Sequence, residues 1–122
     1  MQKFSRSWDT KTRIEYLQRR IIIASYLYYE KDWSPIDDWT YEELSKQLMD
    51  LMQGFDIALT HYGYVFTDYD GSTGFDLFYK LNEEDKEHLT YIANIIYEVK
   101  HGTYLKKPVE QKKTTTKKRR LF

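Results

Sequence analysis

An α+β domain, mainly helical, is the fold class this chain predicts: a helical pair, an aromatic β-hairpin, a third helix and a disordered basic tail. Three observations predict it. Apolar residues recur at three- and four-residue steps in three stretches, as helical faces require. Between the second and third stretches, two aromatic and β-branched runs flank a Gly-rich turn. After Gly102 the periodicity stops and lysines dominate. The chain has 122 residues, 41% hydrophobic and 17% aromatic, with 12 Tyr and 6 Phe. That length and that many large rings suit one domain around one core, expected over residues 1–102.

The first helix is expected to start at Asp9 or Thr10, either able to cap it, and to run to about Tyr29. Ile14, Leu17, Ile21, Ala24 and Tyr28 share one face, and Ile22, Ile23 and Leu27 widen it, so its second half should be covered on more than one side. Lys31 to Asp38 is a loop broken by Pro35. The second helix starts within Asp38–Tyr41. Asp38 is well placed as its N-cap, and Thr40-Tyr41-Glu42-Glu43 fits a capping box. Leu44, Leu48, Leu51, Met52 and Phe55 form its buried stripe, and Gly54 ends or kinks it. Residues 9–55 thus make a helical pair.

Residues 62–81 read as the hairpin, with Tyr62–Tyr69 and Phe75–Leu81 as strands and Asp70-Gly71-Ser72-Thr73-Gly74 as the turn. Residues 82–101 read as the third helix. Asn82 caps it, and Glu83, Glu84 and Asp85 in the first turn favour its dipole. Leu89, Ile92, Ala93, Ile96 and Val99 are its apolar face. Residues 103–122, with Pro108 and Lys/Thr runs, are predicted to be a disordered basic tail.

The formal net charge of 0 conceals an asymmetry. From Gly102 onward there are eight basic residues and one acid, Glu110, so that segment carries +7 and the residues before it −7. The tail leaves two roles open: phosphate contacts with nucleic acid, or simple solubility. Its only rings are Tyr104 and Phe122, a poor platform for stacking bases. Without cysteine there is no disulfide, thiolate metal site or thiol nucleophile. The longest apolar run, Ile21 to Tyr29, is too short for a bilayer, and the polar start does not read as a signal peptide. A cytoplasmic protein without a membrane partner is expected.

Tyr26-Leu27-Tyr28-Tyr29, the Pro35 loop, and then Asp38-Trp39-Thr40-Tyr41-Glu42-Glu43-Leu44 carry a resemblance. Residues 16–52 resemble the N-terminal nicotinamide-recognition domain of NAD-dependent DNA ligases. In that family a helix ending in Tyr and Tyr or His meets a Pro-containing loop and a second helix opening Asp-x-x-Tyr-Asp-x-Leu. The resemblance implies a site for the nicotinamide mononucleotide half of NAD, in working or vestigial form. Tyr28 would stack on the nicotinamide, Tyr29 would take the His/Tyr position, and Asp38, Tyr41 and Glu42 would make the polar contacts. A cationic pyridinium should be drawn to a ring face and carboxylates. Glu42 departs from the family's Asp, and its extra methylene displaces the carboxylate. Each residue also has a plainer use: Asp38 as a cap, Tyr28 in the apolar face, Tyr41 as packing between the helices.

The ligase reaction needs a lysine nucleophile in Lys-x-Asp-Gly. Here the Asp-Gly pair is Asp70-Gly71, and the nucleophile position is Asp68. A calcium loop opening at Asp68 would need Glu where Tyr79 stands. His61, His88 and His101 show no metal-ligand spacing. No catalytic or metal residue is therefore expected, and no cofactor is required, although NAD or NMN binding stays open.

Small proteins of this kind resemble ligase-related proteins of bacteriophages. The resemblance implies a non-catalytic protein that binds and inhibits a host bacterial protein, such as an NAD-consuming Sir2-type antiphage defence enzyme. The alternative it implies is an NMN/NAD-binding module or a split-ligase accessory subunit. Nucleic acid remains a second class of partner, through residues 103–122.

Overall fold

A computed structural model describes residues 3–71 and 76–102. Three helices make the frame: α1 (Thr10–Lys31), α2 (Asp38–Met52) and α3 (Glu83–Lys100). Each begins with the same device. A carboxylate or amide oxygen two or three residues upstream of the first turn's free N–H groups accepts from one of them. Asp9 accepts from the Thr12 amide at 2.9 Å, Asp37 from Thr40 at 2.7 Å, and Asn82 from Asp85 at 2.8 Å. The second of these corrects the sequence expectation. Asp37 caps α2, Asp38 is already helical, and in place of a Thr40 capping box the Thr40 amide itself donates to Asp37, one turn earlier.

The central helix is α1. Ile14, Leu17, Ile21, Ile22, Ile23, Ala24 and Leu27 are all buried, so the helix is covered on more than one side, as its second apolar row predicts. On one side Leu44 and Leu48 of α2 pack against it; on another Leu89 and Ala93 of α3 do so. A stripe of aliphatic residues this wide excludes water from much of the helix circumference, the dominant favourable term in folding. The start of α1 is sealed by rings: Phe4 and Trp8 pack on Tyr16, with centroids 6.1 and 5.4 Å away. Its end turns at Asp32, which takes the left-handed conformation (φ 52°) that helix C-termini favour. The turn carries Trp33 onto α3, edge-on to Tyr97 at 5.5 Å and to His101 at 5.0 Å. Lys31 lies 5.6 Å over the Tyr97 ring as well. The first residues of α1 face the first residues of α3, and the two helices keep company to their C-terminal ends.

Val99 departs from the expected apolar face of α3 and lies exposed. Leu51, Met52 and Phe55 close the end of α2 only partly buried.

Between α2 and α3 the expected β-hairpin is not what the described residues form. Residues 57–59, 63–65 and 78–80 are single turns of 3-10 helix, and no strand occurs among the described residues. Residues 72–74 of the expected turn and Phe75 of the expected second strand lie outside the described residues. The backbone is satisfied locally: Val65 donates to the Tyr62 carbonyl at 2.9 Å, Phe66 to Gly63 at 3.0 Å and Lys80 to Leu77 at 3.1 Å. Side-chain burial explains the choice. A strand would bury Tyr62, Tyr64 and Phe66 together, whereas Tyr62, Val65 and Phe66 are buried and Tyr64 is exposed. Steps of three and one suit a turn of helix packed against a wide helical core, which the flank of α1 supplies. The fold is mainly helical. The expected tail, residues 103–122, lies outside the described residues.

Candidate functional site

Two places bring chemistry-bearing side chains together. The first is the corner where α1 ends and α2 begins, which holds the five residues singled out by the ligase resemblance. Tyr28 and Tyr29 sit on the last turns of α1 and are 52% and 45% exposed, their rings edge-on at 4.8 Å. Tyr28 therefore does not continue the apolar face; α1 turns it outward past the last buried residue, Leu27. Asp38 and Glu42 lie exposed on the first turns of α2. Tyr41 points the other way. Its hydroxyl meets Ser25 Oγ at 3.0 Å, within a hydroxyl chain that continues through Tyr69 to Ser45 Oγ, 2.8 Å from the Tyr69 hydroxyl. Burial pushes the ionisation of both Tyr41 and Tyr69 upward. The Tyr41 hydroxyl thus ties α2 to α1, while Asp38 and Glu42 face solvent.

The first turn of α2 carries a further exposed ring that the sequence did not mark. Trp39, the second residue of α2, is 64% exposed. At about 100° per residue it falls on the side of α2 away from the buried Leu44 and Leu48.

The second place is a cleft of about 690 Å³ between the first halves of α1 and α3. From α1 come Glu15 and Arg19, from the connecting segment His61 and Tyr62, and from α3 Glu84, Asp85, Glu87, His88 and Tyr91. Asp85 organises it and is only 6% exposed. One oxygen receives His61 Nε2 at 2.8 Å and the other receives the Tyr64 hydroxyl at 2.6 Å. The Tyr64 oxygen in turn accepts the Asn82 amide at 3.1 Å, and the His61 amide donates to Glu15 at 2.8 Å. Burial raises the Asp85 carboxyl, but hydrogen bonds from Tyr64 and His61 outweigh it, and the carboxyl is held below its ordinary value. Burial, followed by that same hydrogen bond, pushes the Tyr64 hydroxyl up to about 12.

No family model, curated protein or solved structure matches this chain.

A carboxylate that orients an imidazole is an arrangement used in proton transfer. Here it first pins the segment after α2 to the start of α3. No serine, threonine or cysteine is among the residues lining the cleft, and no group of three metal-binding side chains occurs among the described residues. Sequence reasoning missed this cluster. Asp85 reads as one of three acids opening a helix, and His61 and His88 as isolated. Only the packing of residues 57–66 against α1 joins positions 24 residues apart. Among the described residues no helix is long and apolar enough to cross a membrane.

Proposed function

We propose that this protein is a non-catalytic interaction module that grips another protein through the aromatic corner between α1 and α2. The observation that carries the reading is the exposure of three rings there: Tyr28, Tyr29 and Trp39. Large aromatic side chains left in water at one corner contribute nothing to the core. They are the residue types that dominate binding energy at protein interfaces, since they bury much area at low entropic cost. The rigid helix ends beneath them hold the rings in place before a partner arrives, which reduces the cost of association.

The ligase resemblance of residues 16–52 supports the choice of partner. By analogy with phage ligase-related proteins, the partner is a host bacterial protein. A Sir2-type NAD-consuming defence enzyme is the first target to try, with inhibition as the outcome. Affinity purification from host lysate, repeated with Tyr28→Ala and Trp39→Ala, tests the site. An NAD-hydrolysis assay of such an enzyme, with and without this protein, tests the target. Capture that survives both substitutions refutes the corner as the binding surface; unchanged hydrolysis at saturating protein refutes the target.

One observation favours a second reading, an NMN- or NAD-binding module or split-ligase subunit. The Tyr28 ring is half-exposed, and an aromatic ring reached by solvent is a surface on which a nicotinamide could stack. Calorimetric titration of both nucleotides against wild type and Tyr28→Ala decides it. Heat of binding lost in the variant supports the module, and silence from wild type at millimolar ligand removes it.

A further inference from the structure

α3 turns outward a stripe that no other described element covers. Glu84, Glu87 and Tyr91 follow one another at steps of three and four, and all three are exposed, Tyr91 at 66%. They form one wall of the cleft, with Glu15 and Arg19 of α1 opposite. Glu15 is engaged by Lys11 and the His61 amide, and Asp85 by His61 and Tyr64. Glu84 and Glu87 make no hydrogen bond or ion pair among the described residues. The groove therefore offers two carboxylates and a ring face, a combination suited to ammonium and guanidinium groups.

We propose that this groove docks the chain's own C-terminal segment, residues 103–122, through its basic residues between Lys112 and Arg120. Two facts single out that occupant. The first is charge: the segment from Gly102 carries +7 and the rest of the chain −7, so the binding is between complementary halves of one molecule. The second is reach. The segment leaves from the end of α3, and Glu87 lies fifteen residues back along that helix, about 22 Å at 1.5 Å per residue. Lys112 to Arg120 follow Gly102 by ten to eighteen residues, an extended span of roughly 33–60 Å, enough to return with slack. Because the two parts are covalently joined, closing the loop costs only a logarithmic entropy term, and weak exposed ion pairs suffice to populate the contact. Docking of this kind is independent of the aromatic corner, which lies at the opposite end of α1. It also withholds the basic residues from phosphates until a stronger anion competes.

The absence of cysteine makes the test direct. A spin label on Thr115→Cys in the full chain should remove at least half the amide signal intensity of His61, Glu87 and Tyr91, while α2 amides keep theirs. Raising salt to about 0.5 M, where screening extends only a few ångströms, should restore the intensity. Glu84→Gln/Glu87→Gln, two exposed positions, should restore it at low salt too. If the broadening is absent, spread evenly over the surface, centred elsewhere, or unchanged by the double substitution, the proposal is overturned. Each of those results leaves the partner-binding reading untouched, because that reading is measured by capture through Tyr28 and Trp39.

Discussion

Gly63→Ala meets a backbone contact that leaves no room for a side chain. A Cβ built at Gly63 would lie 1.7 Å from the Ile57 carbonyl oxygen, 2.6 Å from its carbon and 2.8 Å from Thr60 Oγ1. The first obstacle is backbone, and it must retreat to at least 3.0 Å, the closest approach a real Cβ shows. The same oxygen accepts the Thr60 amide at 2.9 Å and the Thr60 hydroxyl at 2.7 Å. Moving it loses or stretches both, at about 1 kcal/mol net each. Overpacking of the turn adds about 1–3 kcal/mol, so the expected loss is about 3–5 kcal/mol. Because His61 and Tyr64 flank this glycine, the pin onto Asp85 should loosen with it. Thermal denaturation followed by circular dichroism should show the midpoint falling by roughly 10–25 °C for a domain of this size. Gly54→Ala is the comparison. Gly54 has φ +76° but nothing within 4 Å of an added Cβ, so only backbone strain of about 1–2 kcal/mol applies. If Gly63→Ala melts within about 3 °C of wild type, or no lower than Gly54→Ala, the close approach is not real and the placement of residues 57–66 is wrong.

The Asp85 carboxyl is held below its ordinary 3.8, so its contribution to stability is present above that value and is lost as pH falls through the lower, folded value. Melting curves of wild type between about pH 5 and pH 2 should therefore decline more steeply than those of Asp85→Asn. Parallel slopes would remove Asp85 from the acid limb. At the other extreme, Tyr64 at about 12 ionises after an ordinary tyrosine, so its contribution is complete below pH 10 and fades as pH rises toward 12. A tyrosinate absorbance titration should show a late-ionising fraction that shrinks in Tyr64→Phe, and an unchanged curve would contradict the Asp85 bond. Asp32, with φ 52°, should accept glycine with a gain of up to about 0.5 kcal/mol, while Asp32→Val should cost about 1–2 kcal/mol in a urea titration. Equal midpoints for the two variants would mean that α1 does not end in a left-handed residue.

The helices were legible because each carries its own signal. Ile14 to Leu27 repeats at the helical period, Asp9 and Asn82 stand where free N–H groups need an acceptor, and Gly102 follows α3 with φ +79°. The misreading of residues 62–81 has a specific physical source. Tyr, Phe and Val favour a pleated, half-buried surface, but that preference yields to whatever surface the chain meets. Here the surface is the core shared by the helices, and Tyr62, Val65 and Phe66 join it at the spacing of a turn. The assignment of Asp38 rather than Asp37 as the cap is a one-residue ambiguity between two neighbouring acids, each able to accept. At the corner, sequence located Tyr28 and Tyr29 but could not show that they face outward while Tyr41 faces inward, because that depends on where α2 crosses α1. The Asp85 cluster depends wholly on tertiary packing and has no periodic signature.

The arrangement of α1 has a bearing on how this protein can change. Its fold-making residues end at Leu27, and its two outward rings begin at the very next position. The side chains that hold the molecule together and those left exposed are therefore neighbouring but separate sets on one helix. Substitutions at Tyr28, Tyr29 and Trp39 should be nearly neutral for folding, so these positions can vary with little effect on the core. A lineage using this scaffold can keep its interior and, under the proposed role, exchange its specificity with little of the loss of foldedness that usually limits such drift.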